Sequence, residues 1–178
     1  MSDFKNKDVN KNKPARRHEN RDDLAGEHKW GDLGQLVLLF IFIIAVVIDK
    51  LFLKMLDSLF EEVTLWFQLV GGIIFVTLGG LLAKKGLKIV FNEKRTKPQV
   101  IDIGVFKIVR HPIYLGSILT YVGFLFFTFS FLGFLVWLVI IFFYFYISYY
   151  EEKLLLKKFG EEYRNYQKRV PMIIPIKF

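Results

Sequence analysis

The chain has 178 residues, 53% of them hydrophobic, with 20 Phe and a formal net charge of +8. That length suits one domain, and so apolar a composition does not suit a soluble one. The chain has no Cys, which excludes disulfides, thiolate catalysis and Cys-ligated zinc or iron–sulfur centres.

His18, His28 and His111 are far apart and show no metal-binding spacing, so no metal is expected. Positive charge falls in blocks between apolar runs. Lys and Arg flanking membrane spans explain such blocks better than nucleic-acid binding does.

Met1 to Lys29 is charged and poor in large apolar residues, so it cannot bury a core. It predicts a disordered cytoplasmic tail and does not resemble a cleavable signal peptide. A membrane domain over 30–178 follows. Trp30 to Leu53 predicts a first span, with Trp30 at the interface. Asp49 to Glu62 overlaps its end as a short amphipathic, acidic connection. Val63 to Ala83 predicts a second span, in which Gly71-Gly72 and Gly79-Gly80 share a helix face suited to close packing.

Lys84 to Pro112 predicts the longest internal loop, punctuated by Pro98 and Gly104. Ile113 to Tyr150 then gives 38 residues without a charge. As one helix it would extend about 57 Å, nearly twice the hydrocarbon thickness of about 30 Å. It must fold back, around Ser130 to Gly133, into a tight hairpin with spans near 112–129 and 133–150. Lys153 to Arg169 predicts an amphipathic helix with Leu154, Leu155, Phe159, Tyr163, Tyr166 and Val170 on one face.

The predicted fold is therefore an all-α integral membrane protein. About four transmembrane helices, the last two a tight hairpin, precede a C-terminal amphipathic cytoplasmic helix. Lys and Arg number eight in the tail, two in the first connection, eight in the second, none in the hairpin turn and seven after Tyr150. This alternation places both termini and the 84–112 loop in the cytoplasm. Arg110-His111-Pro112-Ile113-Tyr114 and Glu151-Glu152 then lie on one membrane face, about one helix diameter, 10 Å, apart.

Pro112 suits the first position of a helix, whose first-turn N–H groups can hold a carboxylate or phosphate. Arg110 adds charge, and His111 can donate or accept. An ordinary membrane-boundary cluster has the same composition. Glu151 and Glu152 can bind two sugar hydroxyls or a cation, form a solvated helix end, or pair with Lys107 or Arg110.

The pattern G-V-F-x3-R-H-P-x-Y-x-G, a hydrophobic hairpin, and E-E-x-x-L-x3-F-G-x2-Y-x2-Y-x3-V-P span Ile103 to Pro175. In that order they resemble the integral membrane methyltransferases related to isoprenylcysteine carboxyl methyltransferase. The resemblance implies S-adenosylmethionine as methyl donor. It implies a cofactor site of His111, Pro112, Tyr114, Gly116, Glu151, Glu152, Tyr163 and Tyr166, with Arg110 and Glu152 at the reaction centre. Phe106 departs from the pattern, since many relatives have Tyr there.

The expected partners are the lipid bilayer and a lipidic or small apolar acceptor. The substrate-facing spans match no motif, so carboxyl, amine and thiol acceptors all remain open, including a phospholipid amine. An NADPH-dependent sterol-reductase-like enzyme and a non-catalytic membrane scaffold are the alternatives.

Overall fold

The computed structural model describes residues 31–56, 65–92 and 99–176. The expectations for the N-terminal tail and Trp30 lie outside these. Among the described residues there are five α-helices and no strand. The all-helical membrane architecture expected from sequence is what the chain adopts.

Helix α1, Gly31–Ile48, is uninterrupted by Pro and continues through a π-helical turn, Asp49–Leu53. Lys54 ends it in the left-handed region (φ 49°), its N–H bonded to the Asp49 carbonyl. The helix thus reaches Leu53, the expected end of the first span, and Asp49, also expected to begin the connection, lies within it. Its side chain is 1% exposed. Oδ2 accepts from Ser130 Oγ at 2.6 Å and from the Leu132 N–H at 3.3 Å.

Ser130 is the N-cap of α4, Phe131–Phe159, and its Oγ accepts from the Gly133 N–H. One helix thus supplies a carboxylate to the N-terminus of another, where orphan N–H groups and the helix dipole favour it. Asp49→Ala should cost about 3 kcal/mol, because it leaves buried donors unpaired. SDS unfolding of the purified protein would measure the loss.

Helix α2, Leu65–Asn92, runs past Ala83, where a loop was expected. Its 28 residues extend about 42 Å, so the basic end carrying Lys84, Lys85 and Lys88 projects beyond the hydrocarbon. Lys has good helix propensity, and Pro98, the expected breaker, lies beyond the helix end. Helix α3, Pro112–Thr128, packs along α2, while α1 packs on α4. A Cβ on Gly79 would stand 2.5 Å from the Gly116 carbonyl oxygen, and one on Gly116 would stand 2.6 Å from the Gly79 carbonyl oxygen. Backbone touches backbone there, as small residues permit in membranes. Gly71 and Gly72 instead make room for the rings of Phe126 and Phe127 of α3, and Gly80 faces open space.

By length and apolarity α1 with its π turn, α2 and α4 are each able to cross a membrane. Helix α3 is shorter, at 17 residues, and unlike the other three carries no charged residue. Phe129 turns the chain between α3 and α4 in the left-handed region (φ 42°). The reversal falls on Phe129-Ser130, slightly earlier than expected, and Gly133 lies inside α4, close to Val46 and Leu125.

The expected amphipathic helix over 153–169 is divided. Helix α4 continues to Phe159, and α5 occupies Glu161–Arg169. Gly160 separates them with φ +56°, a conformation that only Gly adopts without strain. Tyr163 and Tyr166 form the buried face of α5 and pack with Val170, Leu155 and Phe159. The main core joins Phe42 of α1, Ile118 and Tyr121 of α3, and Ile140 and Tyr144 of α4. Ile173, beyond α5, is 1% exposed and completes it.

Candidate functional site

The site begins with a backbone clamp. Gly104–Lys107 forms a 3-10 turn that buries Val105 and Phe106. The N–H groups of Arg110 and His111 then donate to the carbonyls of Pro171 and Met172 at 2.9 and 3.0 Å. Tyr166 adds a hydroxyl bond of 2.6 Å to the Phe106 carbonyl. The segment after α5 thus holds the segment before α3 by its main chain. Pro112 starts α3 with no N–H to satisfy, and its first intrahelical bond runs from Leu115 N–H to the His111 carbonyl.

Helix α4 brings its two carboxylates to this point. Glu152 Oε1 lies 2.8 Å from Arg110 Nε and 3.3 Å from His111 Nε2. Its Oε2 accepts from Gln167 Nε2 of α5 at 2.9 Å. Glu151 Oε1 accepts from the Tyr114 hydroxyl, and Oε2 lies 3.5 Å from His111 Nδ1. Both ring nitrogens of His111 therefore face a carboxylate. Side-chain exposure is 8% for Glu152 but 19% for Glu151. Glu152 is enclosed by three partners, and Glu151 is the more accessible acid.

Tyr163 and Tyr166 lie against this cluster. Burial pushes both phenols above their usual range, reinforced by the negative charge of Glu152 at Tyr163 and of Asp102 at Tyr166. Both stay protonated at working pH. The hydroxyl of Tyr166 is committed to the Phe106 carbonyl. Gly116 is committed to its contact with α2, which accounts for the Gly by packing. Gln167 was missed by the sequence reading. It lies one residue past a Tyr of the motif, and its spacing from Glu152 signals nothing until Gly160 turns α5 back.

The aromatic side chains connect the carboxylates to a cavity. Tyr114 stacks on His111 with centroids 5.6 Å apart and meets Tyr144 of α4 at 5.2 Å. Tyr144 also lines a cavity of about 380 Å³, together with Gln35, Leu39, Ala83, Ser117 and Thr120. All four long helices contribute to this wall. One turn beyond Tyr144, the Oγ of Ser148 is fully buried without a hydrogen-bond partner. Helical spacing puts it on the face between Tyr144 and Glu152. Among the described residues no group of His, Asp and Glu could hold a metal ion.

A model described as phospholipid methyltransferase matches residues 67–162, more than half of the chain. Over 71 residues the chain is 42% identical to a methanethiol S-methyltransferase of Pseudomonas deceptionensis, covering 40% of this chain and 26% of the relative. Over 84 residues it is 36% identical to methanethiol S-methyltransferase 1 of Bradyrhizobium diazoefficiens, covering 47% and 29%. The chain spans under a third of the length of either relative. No solved structure matches it. The methyltransferase resemblance carried by the two polar motifs holds at the level of the family: this chain belongs to the phospholipid methyltransferase family of membrane proteins.

Proposed function

We propose that this protein transfers a methyl group from S-adenosylmethionine to a small apolar thiol at the cytoplasmic face of a membrane. The observation that carries the proposal is the meeting of Arg110, His111 and Tyr114 with Glu151 and Glu152 beside a hydroxyl-lined cavity.

The residues fit the donor. Two adjacent carboxylates suit ribose hydroxyls and an ammonium group, and Arg110 with the start of α3 suits a carboxylate. The buried, unpartnered Ser148 hydroxyl supplies a further polar contact. When bound, S-adenosylmethionine supplies a methyl group already activated on a sulfonium.

The chain's own task is then orientation. Glu151 and His111 hold the donor's polar groups. Glu152, held by Arg110, His111 and Gln167, sets their positions and shares the reaction centre with Arg110. Tyr163 screens this centre from water, and Tyr166 keeps α5 against it. A thiol reacts as its thiolate, so as the new bond to the acceptor sulfur forms and the methyl–sulfonium bond breaks, the thiol proton passes to Glu152 or His111. The names of the two relatives favour a thiol. The family description favours a phospholipid amine, the second reading.

The test uses purified protein in nanodiscs, methyl-labelled donor, butanethiol and phosphatidylethanolamine. Labelled butyl methyl sulfide is the expected product. Labelled phospholipid would support the second reading, and NADPH binding without donor binding would overturn both. Glu151→Ala and His111→Ala should each weaken donor binding about tenfold, the value of one charge-assisted hydrogen bond. Calorimetric titration measures this, and unchanged affinity in both variants removes the site assignment. Tags at either terminus should resist external protease in intact cells, since the charge alternation puts both ends inside.

A further inference from the structure

Helix α1 lies upstream of the residues matched to the family, 67–162, yet it forms one wall of the cavity beside the carboxylate cluster. Among the cavity residues on α1, Leu36 and Leu39 are apolar, and Gln35 carries the only amide. Gln35 lies inside a helix able to cross a membrane. It makes no hydrogen bond or other polar contact with any described residue. An amide in an apolar span without such a bond is costly, so a ligand that satisfies it is favoured there.

The rest of the cavity explains what would meet it. The hydroxyls of Ser117 and Thr120 donate back to the Ile113 and Gly116 carbonyls. Their protons are committed, and only lone pairs remain toward the space. Gln35 is therefore the one amide there, offering N–H donors together with a carbonyl acceptor beside the phenols of Tyr121 and Tyr144. Leu36, Leu39 and Phe124 are exposed on the outer surface, whereas Tyr121 and Tyr144 are buried. The cavity thus leads from the lipid-facing side to Tyr144, whose ring meets Tyr114 of the carboxylate cluster.

We infer that this cavity is the acceptor pocket and that Gln35 recognises the acceptor's heteroatom. The substrate class is a short alkyl or aryl thiol with its sulfur at Gln35 and its apolar body between α1 and α3. This inference rests on the methyl-transfer proposal. It also places acceptor choice on α1, so chains sharing the donor motifs can differ in acceptor through this helix alone.

The test separates pocket from chemistry. The chain has no Cys, so Ser117→Cys introduces a single thiol into the cavity wall. In nanodiscs, butyl methyl sulfide should slow its modification by N-ethylmaleimide about tenfold at roughly ten times its dissociation constant. Gln35→Leu should raise the KM for butanethiol about tenfold, the effect of one lost hydrogen bond, with donor affinity unchanged. Gln35→Glu should repel thiolate and raise KM further.

Protection without any methyl transfer would keep the pocket and overturn the chemistry. Methyl transfer to butanethiol without protection, and with KM unchanged in Gln35→Leu, would overturn the pocket and keep the chemistry. Protection unaffected by Gln35→Leu, with KM also unchanged, would overturn the role of Gln35.

Discussion

Glu152→Ala should be the most damaging single substitution in this chain, costing about 3 kcal/mol, the lower end of the penalty for stripping a buried charge of its partner. Arg110 would lose its counter-ion 2.8 Å away, and His111 and Gln167 would each lose an acceptor. The site would loosen as it lost stability, so donor affinity should fall by at least about tenfold. Glu152→Gln keeps an acceptor for Gln167 but leaves the guanidinium uncompensated. The double variant Arg110→Met with Glu152→Leu removes both charges together. It should recover most of the stability, because an apolar pair of similar volume often replaces a buried ion pair without loss. It should not recover donor binding. SDS unfolding and calorimetric titration on the same preparations separate the two effects. Full recovery of binding in the double variant would show that neither charge serves the donor.

Gly116→Val should be nearly as severe, for a different reason. Its Cβ would meet the Gly79 carbonyl oxygen at 2.6 Å and the Ala83 backbone nitrogen at 2.9 Å. Those are backbone atoms, which move only if α2 and α3 separate. Overpacking of this kind costs roughly 1–3 kcal/mol, and the upper end is expected where two helices meet along their backbones. Pro112 and Tyr114, one turn away, would shift with α3 and weaken donor binding. A substitution on the opposite helix decides between packing and ligand contact at Gly116. Gly79→Ala, which lies outside the carboxylate cluster, should reproduce both the instability and the lost affinity if packing is the cause. Combining it with Gly116→Ala should cost less than the sum, since helices already parted do not clash twice.

Much of this was legible before any coordinates. The 38-residue uncharged stretch is too long for one crossing, and charge alternation returns its ends to one side. Those facts foretold the meeting of Tyr114 with Glu151. Gly160 was visible as part of a motif, but its consequence was not. Helical periodicity runs smoothly through it, and only the positive φ reveals that α5 turns back to deliver Gln167. Asp49 sat at the edge of an apolar run and looked like the start of a polar connection. Nothing local tells an exposed acid from one buried against a helix start 81 residues later. Gln35 was equally silent, because its meaning depends on cavity walls drawn from three other helices.

The bonds from Arg110 and His111 to the Pro171 and Met172 carbonyls carry a consequence for how the protein is made. Residues 171 and 172 follow α1 to α5 in chain order, so they leave the ribosome after these helices. The start of α3 is therefore inserted long before its backbone partners exist. Until those carbonyls arrive, the N–H groups at the mouth of the site have only water and lipid headgroups to meet. The proposed donor site should therefore form only once residues 171 and 172 have been made. A chain stalled or cut after α5 would keep its membrane helices while lacking the clamp that shapes the site.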